Sequence, residues 1–95
     1  MDYIYIVQGN QCGTIGAYSS ISKAFTATHG YMGETYEGKW IEHIELTKTG
    51  SYKGKKLVEA TVENLRQEFN RGMVNVTMVT KDTGIVFDIR KFKIN

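Results

Sequence analysis

The chain has 95 residues, of which 41% are hydrophobic and 23% are charged, and its formal net charge is +2. These proportions are close to those of ordinary globular proteins, so we expect residues 1–95 to fold as a single small domain rather than to stay disordered. A net charge of +2 is far below the excess that is typical of proteins whose affinity comes from neutralising phosphates. The composition therefore leaves the class of partner open.

The cysteine and histidine content and the apolar runs exclude several classes of protein. One cysteine cannot form an internal disulfide, and with two histidines it cannot complete a zinc site of the usual type, so we expect no metal. The apolar run Tyr3–Val7 follows an acidic residue and is too short for a signal peptide. No run approaches the length of about 20 residues that a membrane span needs. We expect a cytoplasmic protein that does not contact a membrane.

The first half of the chain predicts two strands, a helix and a further strand. The first strand alternates and is rich in β-branched and aromatic residues, whereas the second is weaker. A serine can cap the helix and a glycine can end it. Residues 36–46 fit both a helix and a strand, and we favour a strand there. The predicted elements are strands at Tyr3–Val7, Thr14–Tyr18 and Ile41–Thr47, and a helix from Ser19 or Ser20 to Gly30 or Gly33.

The second half of the chain predicts a long helix followed by a hairpin. In Leu57–Arg71 the apolar residues follow a helical stripe, acids come early and bases come late. Two alternating strands flank the turn Lys81–Gly84, and the parity of the apolar residues changes after Ile89, which suggests a bulge or a strand edge. The order β-β-α-β-α-β-β predicts an α+β domain, with a mainly antiparallel sheet of about five strands and two helices packed on one face.

The segment Gly9–Ser20 contains three glycines and the single cysteine, Cys12. Its glycine spacing differs from that of dinucleotide and phosphate loops, so we expect no nucleotide cofactor. A catalytic thiol needs a base or a cation to lower its pKa, and only His29 or His43 could reach Cys12 across the fold. A thiol enzyme at Cys12 is therefore a third alternative, whereas we expect Cys12 to be dispensable for function.

Tyrosine is frequent, and two tyrosines share one side of the first strand. If Ile4 and Ile6 face the core, Tyr3 and Tyr5 stand together on the opposite face, where Tyr18 can join them. Two helices cover one face of such a sheet well and both faces poorly, so a partner or a second copy is expected to cover the tyrosines. Changing Tyr3 and Tyr5 to serine is then expected to impair association more than folding.

Charge is segregated along the middle of the chain. Four acids and one lysine lie between Glu34 and Glu45, and four lysines and no acid lie between Lys48 and Lys56. A basic loop that carries an aromatic residue can hold a nucleic-acid backbone and stack a base. The residues of this possible nucleic-acid site are Tyr52, Lys53, Lys55 and Lys56.

Together these features favour a non-enzymatic binding protein that acts through a protein interface, with a protein partner or with itself as a homodimer. A small RNA- or DNA-binding domain that uses the Lys48–Lys56 loop is the alternative. In its size and its lack of a catalytic set, the chain resembles the accessory proteins with which phages inhibit or modulate host machinery, a general likeness that no motif carries.

Overall fold

The computed structural model describes residues 2–10, 13–32, 39–80 and 84–94, and of residues 29–32 it describes the helical backbone alone. In this part of the chain, six strands and two helices follow the order β-β-α-β-β-α-β-β. Cys12, Gly33 and residues 81–83 lie outside the described residues. The elements are β1 (Tyr3–Gly9), β2 (Gly13–Tyr18), α1 (Ile21–Met32), β3 (Lys39–Leu46), β4 (Tyr52–Glu59), α2 (Val62–Asn70), β5 (Asn75–Thr80) and β6 (Val86–Lys93).

All six strands form one antiparallel sheet with the order β2-β1-β6-β5-β3-β4. Helix α1 packs on β1 and β2, helix α2 packs on β3 and β5, and the two helices touch each other. Both helices contribute to a single core with the sheet, so both lie on the same face. The prediction of an α+β domain with an antiparallel sheet and two helices on one face is confirmed.

The predicted helix Leu57–Arg71 begins too early. Its first residues belong to β4, where Val58 pairs with Ile41 and Glu59 pairs with Trp40 of β3. The helix itself starts after Thr61, whose Oγ1 accepts a hydrogen bond of 3.0 Å from the backbone N–H of Asn64. The sheet therefore has six strands where the sequence predicted about five.

The basic segment Lys48–Lys56, predicted as a loop, consists of a short turn followed by a strand. A turn connects β3 to β4, and in it the backbone N–H of Thr47 donates a hydrogen bond of 2.8 Å to the backbone carbonyl of Ser51. From Tyr52 onwards the chain is the edge strand β4. Of the ambiguous region before this turn, residues 39–46 form strand β3, as the sequence favoured, and residues 36–38 lie outside the described residues.

The core lies between the sheet and the two helices. Strand residues that point to this side alternate with residues that point away, and each pair of partners across the sheet shares a side. Side chains that are fully buried on the helix side include Val7, Ile41, Met78, Phe87 and Ile89 of the sheet, together with Leu65 of α2.

Candidate interaction surface

The tyrosines of β1 lie on the opposite side from the predicted one. Tyr5 is buried, with 8% of its surface exposed, and belongs to the core beneath the helices. Ile4 and Ile6 therefore point to the other face. The prediction was wrong because both sides of β1 are apolar, so alternation alone does not tell which side the helices cover.

The three tyrosines nevertheless come together at one corner of the sheet. Tyr5 is the register partner of Tyr18, and Tyr3 is two residues away on the same side of β1. The Tyr5 ring and the Phe69 ring of α2 form an edge-to-face pair, with 5.4 Å between their centroids and an angle of 66° between their planes. Burial, followed by the proximity of Tyr3, raises the pKa of the Tyr5 hydroxyl. Tyr5 thus acts in the packing of α2 on the sheet.

Tyr3 is the most accessible aromatic group of this corner. Its exposed fraction is 36%, and the Lys91 ammonium lies 4.0 Å from its ring centroid, a cation–π distance. A cavity of about 410 Å³ adjoins the ring. Its lining residues are Asp2, Tyr3, Tyr5, Ser19 and Ile94.

The other face of the sheet is covered by neither of the described helices. The register places an extensive set of apolar side chains there, and we call this surface the open face. Several of these side chains are well exposed, including Leu46 at 50%, Phe92 at 42% and Leu57 at 37%. The apolar members of the open face are Ile4, Ile6, Trp40, Ile44, Leu46, Leu57, Val79, Val86 and Phe92.

Polar side chains run through the middle of the open face. Asp88 and Arg90 lie on β6, next to Thr77 and Asn75 of β5 in the register. The Thr77 hydroxyl donates a hydrogen bond of 2.7 Å to Oδ1 of Asp88. Oδ1 of Asn75 is buried and has no hydrogen-bond partner among the described residues. This centre is polar and contains both signs of charge.

The lysines of the possible nucleic-acid site do not form one patch. Lys55 and Lys56 are neighbours on a strand and point to opposite faces. Each meets a glutamate of β3: Lys55 Nζ lies 3.1 Å from Glu42 and Lys56 Nζ lies 3.5 Å from Glu45. Two lysines of the basic segment are therefore paired with two glutamates of the preceding acidic segment across the β3–β4 pair.

Sequence reasoning did not find the buried ionic cluster between β3 and α2. Glu68, with 3% of its surface exposed, lies 2.8 Å from Nδ1 of His43 and accepts a hydrogen bond of 2.7 Å from Nη1 of Arg71. Arg71 Nη2 also donates to the backbone carbonyl of Ile44, at 2.8 Å. The cluster satisfies a buried carboxylate and fastens the end of α2 to β3. His43 and Glu68 are 25 residues apart, and no local spacing signals their contact.

In the described part of the chain, no three His, Cys, Asp or Glu side chains are arranged so that they could hold a metal ion. Among the same residues, no helix has the length and apolar character needed to cross a bilayer. Comparison of the chain with protein-family models, with curated proteins and with solved structures found no match.

Proposed function

We propose that this protein is a non-enzymatic binding protein that works as a homodimer and uses the open face as its interface. The observation that carries the proposal is the apolar surface on one side of a six-stranded sheet whose helices both pack on the other side. Apolar side chains exposed together on one face of a protein are typical of interaction sites. The proposed interface therefore contains Ile4, Ile6 and their neighbours across the sheet, in place of Tyr3 and Tyr5.

The size of the open face fits a dimer. Six strands about 4.8 Å apart, each about seven residues long with a rise of about 3.3 Å, span roughly 29 by 23 Å, or roughly 670 Å² in projection. A standard interface buries about 800 Å² per partner, measured over the side-chain relief rather than in projection. Face-to-face packing of two such sheets, about 10 Å apart, is an established arrangement.

Charge favours a second copy over a polyanion as the occupant. The open face carries three acids and two bases, which are Glu42, Glu59, Asp88, Lys55 and Arg90. A nearly balanced surface offers little attraction to nucleic acid, whose binding depends on an excess of cations. A second copy presents the same balance, so each sign of charge can meet its opposite.

Sedimentation velocity from low to high micromolar concentration tests this proposal. The wild-type protein is expected to pass from monomer to dimer, and Phe92→Ser is expected to weaken the dimer by about tenfold or more, because it removes an aromatic anchor from the open face. Val74→Ser is the matched control, since Val74 is 64% exposed and lies in the connection between α2 and β5. A wild-type protein that stays monomeric throughout, or equal effects of the two substitutions, would contradict the proposal.

A further inference from the structure

The open-face residues of β6 form a pattern of apolar and charged side chains that complements the same pattern read in the opposite direction. They are Val86, Asp88, Arg90 and Phe92, which read as apolar, acidic, basic and apolar. Neighbouring members are about 6.6 Å apart, because alternate residues of a strand share a face. When the strand is turned end to end, an apolar residue meets an apolar residue and an acid meets a base.

This pattern lies in the middle of the sheet. Strand β6 is flanked by β1 and β5. Beyond β1 lies β2, and beyond β5 lie β3 and β4. Between the two charges is Ile89, which points into the core and pairs with Val7 on one side and Val76 on the other. The centre of the open face is therefore next to the backbone of Ile89, midway between Asp88 and Arg90.

The two charged side chains differ in how they are held. Asp88 receives the hydrogen bond from Thr77, which fixes one of its oxygens on the face. Arg90 is exposed, and no ion pair involving it is found within the described residues. The acid is thus oriented in advance, while the guanidinium can still reach a partner.

We infer that the two-fold axis of the dimer crosses β6 at Ile89, so that Asp88 of each copy pairs with Arg90 of the other. This inference rests on the proposed function, since it places the axis of the dimer proposed above. This axis lies in the plane of the interface and runs across the strands. A half-turn about it places β6 of one copy over β6 of the other, with the two strands running in opposite directions. Val86 of each copy then packs on Phe92 of the other, and the two ion pairs form at the shielded centre, where charge pairing fixes the register of an interface.

Charge reversal tests the position of the axis. Asp88→Arg and Arg90→Asp each create two like-charge contacts per dimer, so each variant alone is expected to dimerise at least about tenfold more weakly than the wild-type protein. An equimolar mixture of the two variants is expected to form a heterodimer of near wild-type stability, because every contact is then between opposite charges. Native mass spectrometry identifies the heterodimer by mass, and sedimentation measures its stability.

Two further tests combine substitutions of both residues in the same chain. The double variant Asp88→Arg with Arg90→Asp is expected to regain the homodimer, since the ion pairs form again with their signs exchanged. If Asp88→Arg does not fold, Asp88→Asn keeps an oxygen acceptor for Thr77 and is expected to relieve the repulsion in Arg90→Asp. Thr77→Val removes the internal hydrogen bond and leaves both charges in place, so it is expected to weaken dimerisation less than either charge reversal does.

The outcomes separate this inference from the proposed function. Single variants that still dimerise like the wild-type protein would overturn the inferred axis. So would a mixture that stays monomeric while Phe92→Ser shows that the open face is the interface, and in that case the proposed function stands. A wild-type protein that is monomeric at every concentration overturns both.

Discussion

The position of Tyr5 allows a quantitative test of which side of β1 faces the helices. Replacing Tyr5 with alanine removes a ring that is 92% buried and contacts Phe69, itself 2% exposed. Truncating a buried aromatic residue to alanine costs about 3–5 kcal/mol, of which about 0.5–1.5 kcal/mol belongs to the geometry of the ring pair. For a domain of this size, 1 kcal/mol corresponds to about 4–8 °C, so we expect Tm to fall by at least about 12 °C.

Thermal and urea unfolding followed by circular dichroism measure this loss. The measurements are best made in the Phe92→Ser background, because dissociation of a dimer would otherwise add to the apparent unfolding free energy. A double-mutant cycle with Tyr5→Leu and Phe69→Leu is expected to give a coupling energy of about 0.5–1.5 kcal/mol for the ring pair. Tyr3→Ala is the matched comparison, and it is expected to cost less because Tyr3 is 36% exposed.

The opposite result would restore the original hypothesis for the tyrosines. If Tyr5→Ala unfolds within about 1 kcal/mol of its Phe92→Ser parent, and abolishes dimerisation when it is made in the wild-type protein, Tyr5 belongs to the interface. The assignment of the open face to Ile4 and Ile6 would then be wrong.

Three further predictions concern charged side chains. Arg71→Met is expected to cost about 1–3 kcal/mol in urea unfolding, because it removes the charged hydrogen bond to the buried carboxylate of Glu68 and leaves only the contact with His43. Arg66→Met, which breaks an exposed pair, should stay within about 0.5 kcal/mol. Burial lowers the pKa of Lys39 below 10.5, so between its folded and unfolded pKa values the unfolded chain binds more protons and stability rises with pH. As the pH rises towards about 10.5, the free energy of unfolding of the wild-type protein should therefore increase relative to that of Lys39→Met. Melting curves of both proteins at several pH values can check this. In a fluorescence anisotropy titration, the wild-type protein is expected to show no salt-sensitive binding of a single-stranded oligonucleotide at micromolar concentration. Such binding, weakened by Lys55→Gln, would support the nucleic-acid alternative.

The sequence predicted the fold class because its strongest patterns are local. The alternation in β5 and β6 and the apolar spacing of Val62, Leu65 and Phe69 are confirmed. The spacing between Val58 and Val62 misled the prediction, since four residues fit one turn of helix and also fit a strand end followed by a helix start. Pairing with Ile41 decides between the two, and that partner is distant in sequence.

The candidate surface was harder to predict, because its members become neighbours only through the order of the strands. Ile4 and Phe92 pair across β1 and β6, although they are close to opposite ends of the chain. The change of apolar parity after Ile89 suggested a bulge or a strand edge, yet β6 continues against β1 through Lys93 without a register shift. The parity changes because Phe92 is an apolar residue of the open face, whereas Ile89 belongs to the core.

The pattern of β1 supports the proposal that a second layer covers the open face. A strand with one wet side alternates between apolar and polar residues, whereas a strand covered on both sides is apolar throughout. In β1, Ile4 and Ile6 alternate with Tyr5 and Val7, so both sides of the strand are apolar where only one side receives helices. Desolvating the open face would contribute about 25 cal/mol for each Å² of apolar surface, which favours association once the polar centre is paired. A second copy meets both conditions, because it brings the same apolar margins and, turned about Ile89, the complementary charges of Asp88 and Arg90.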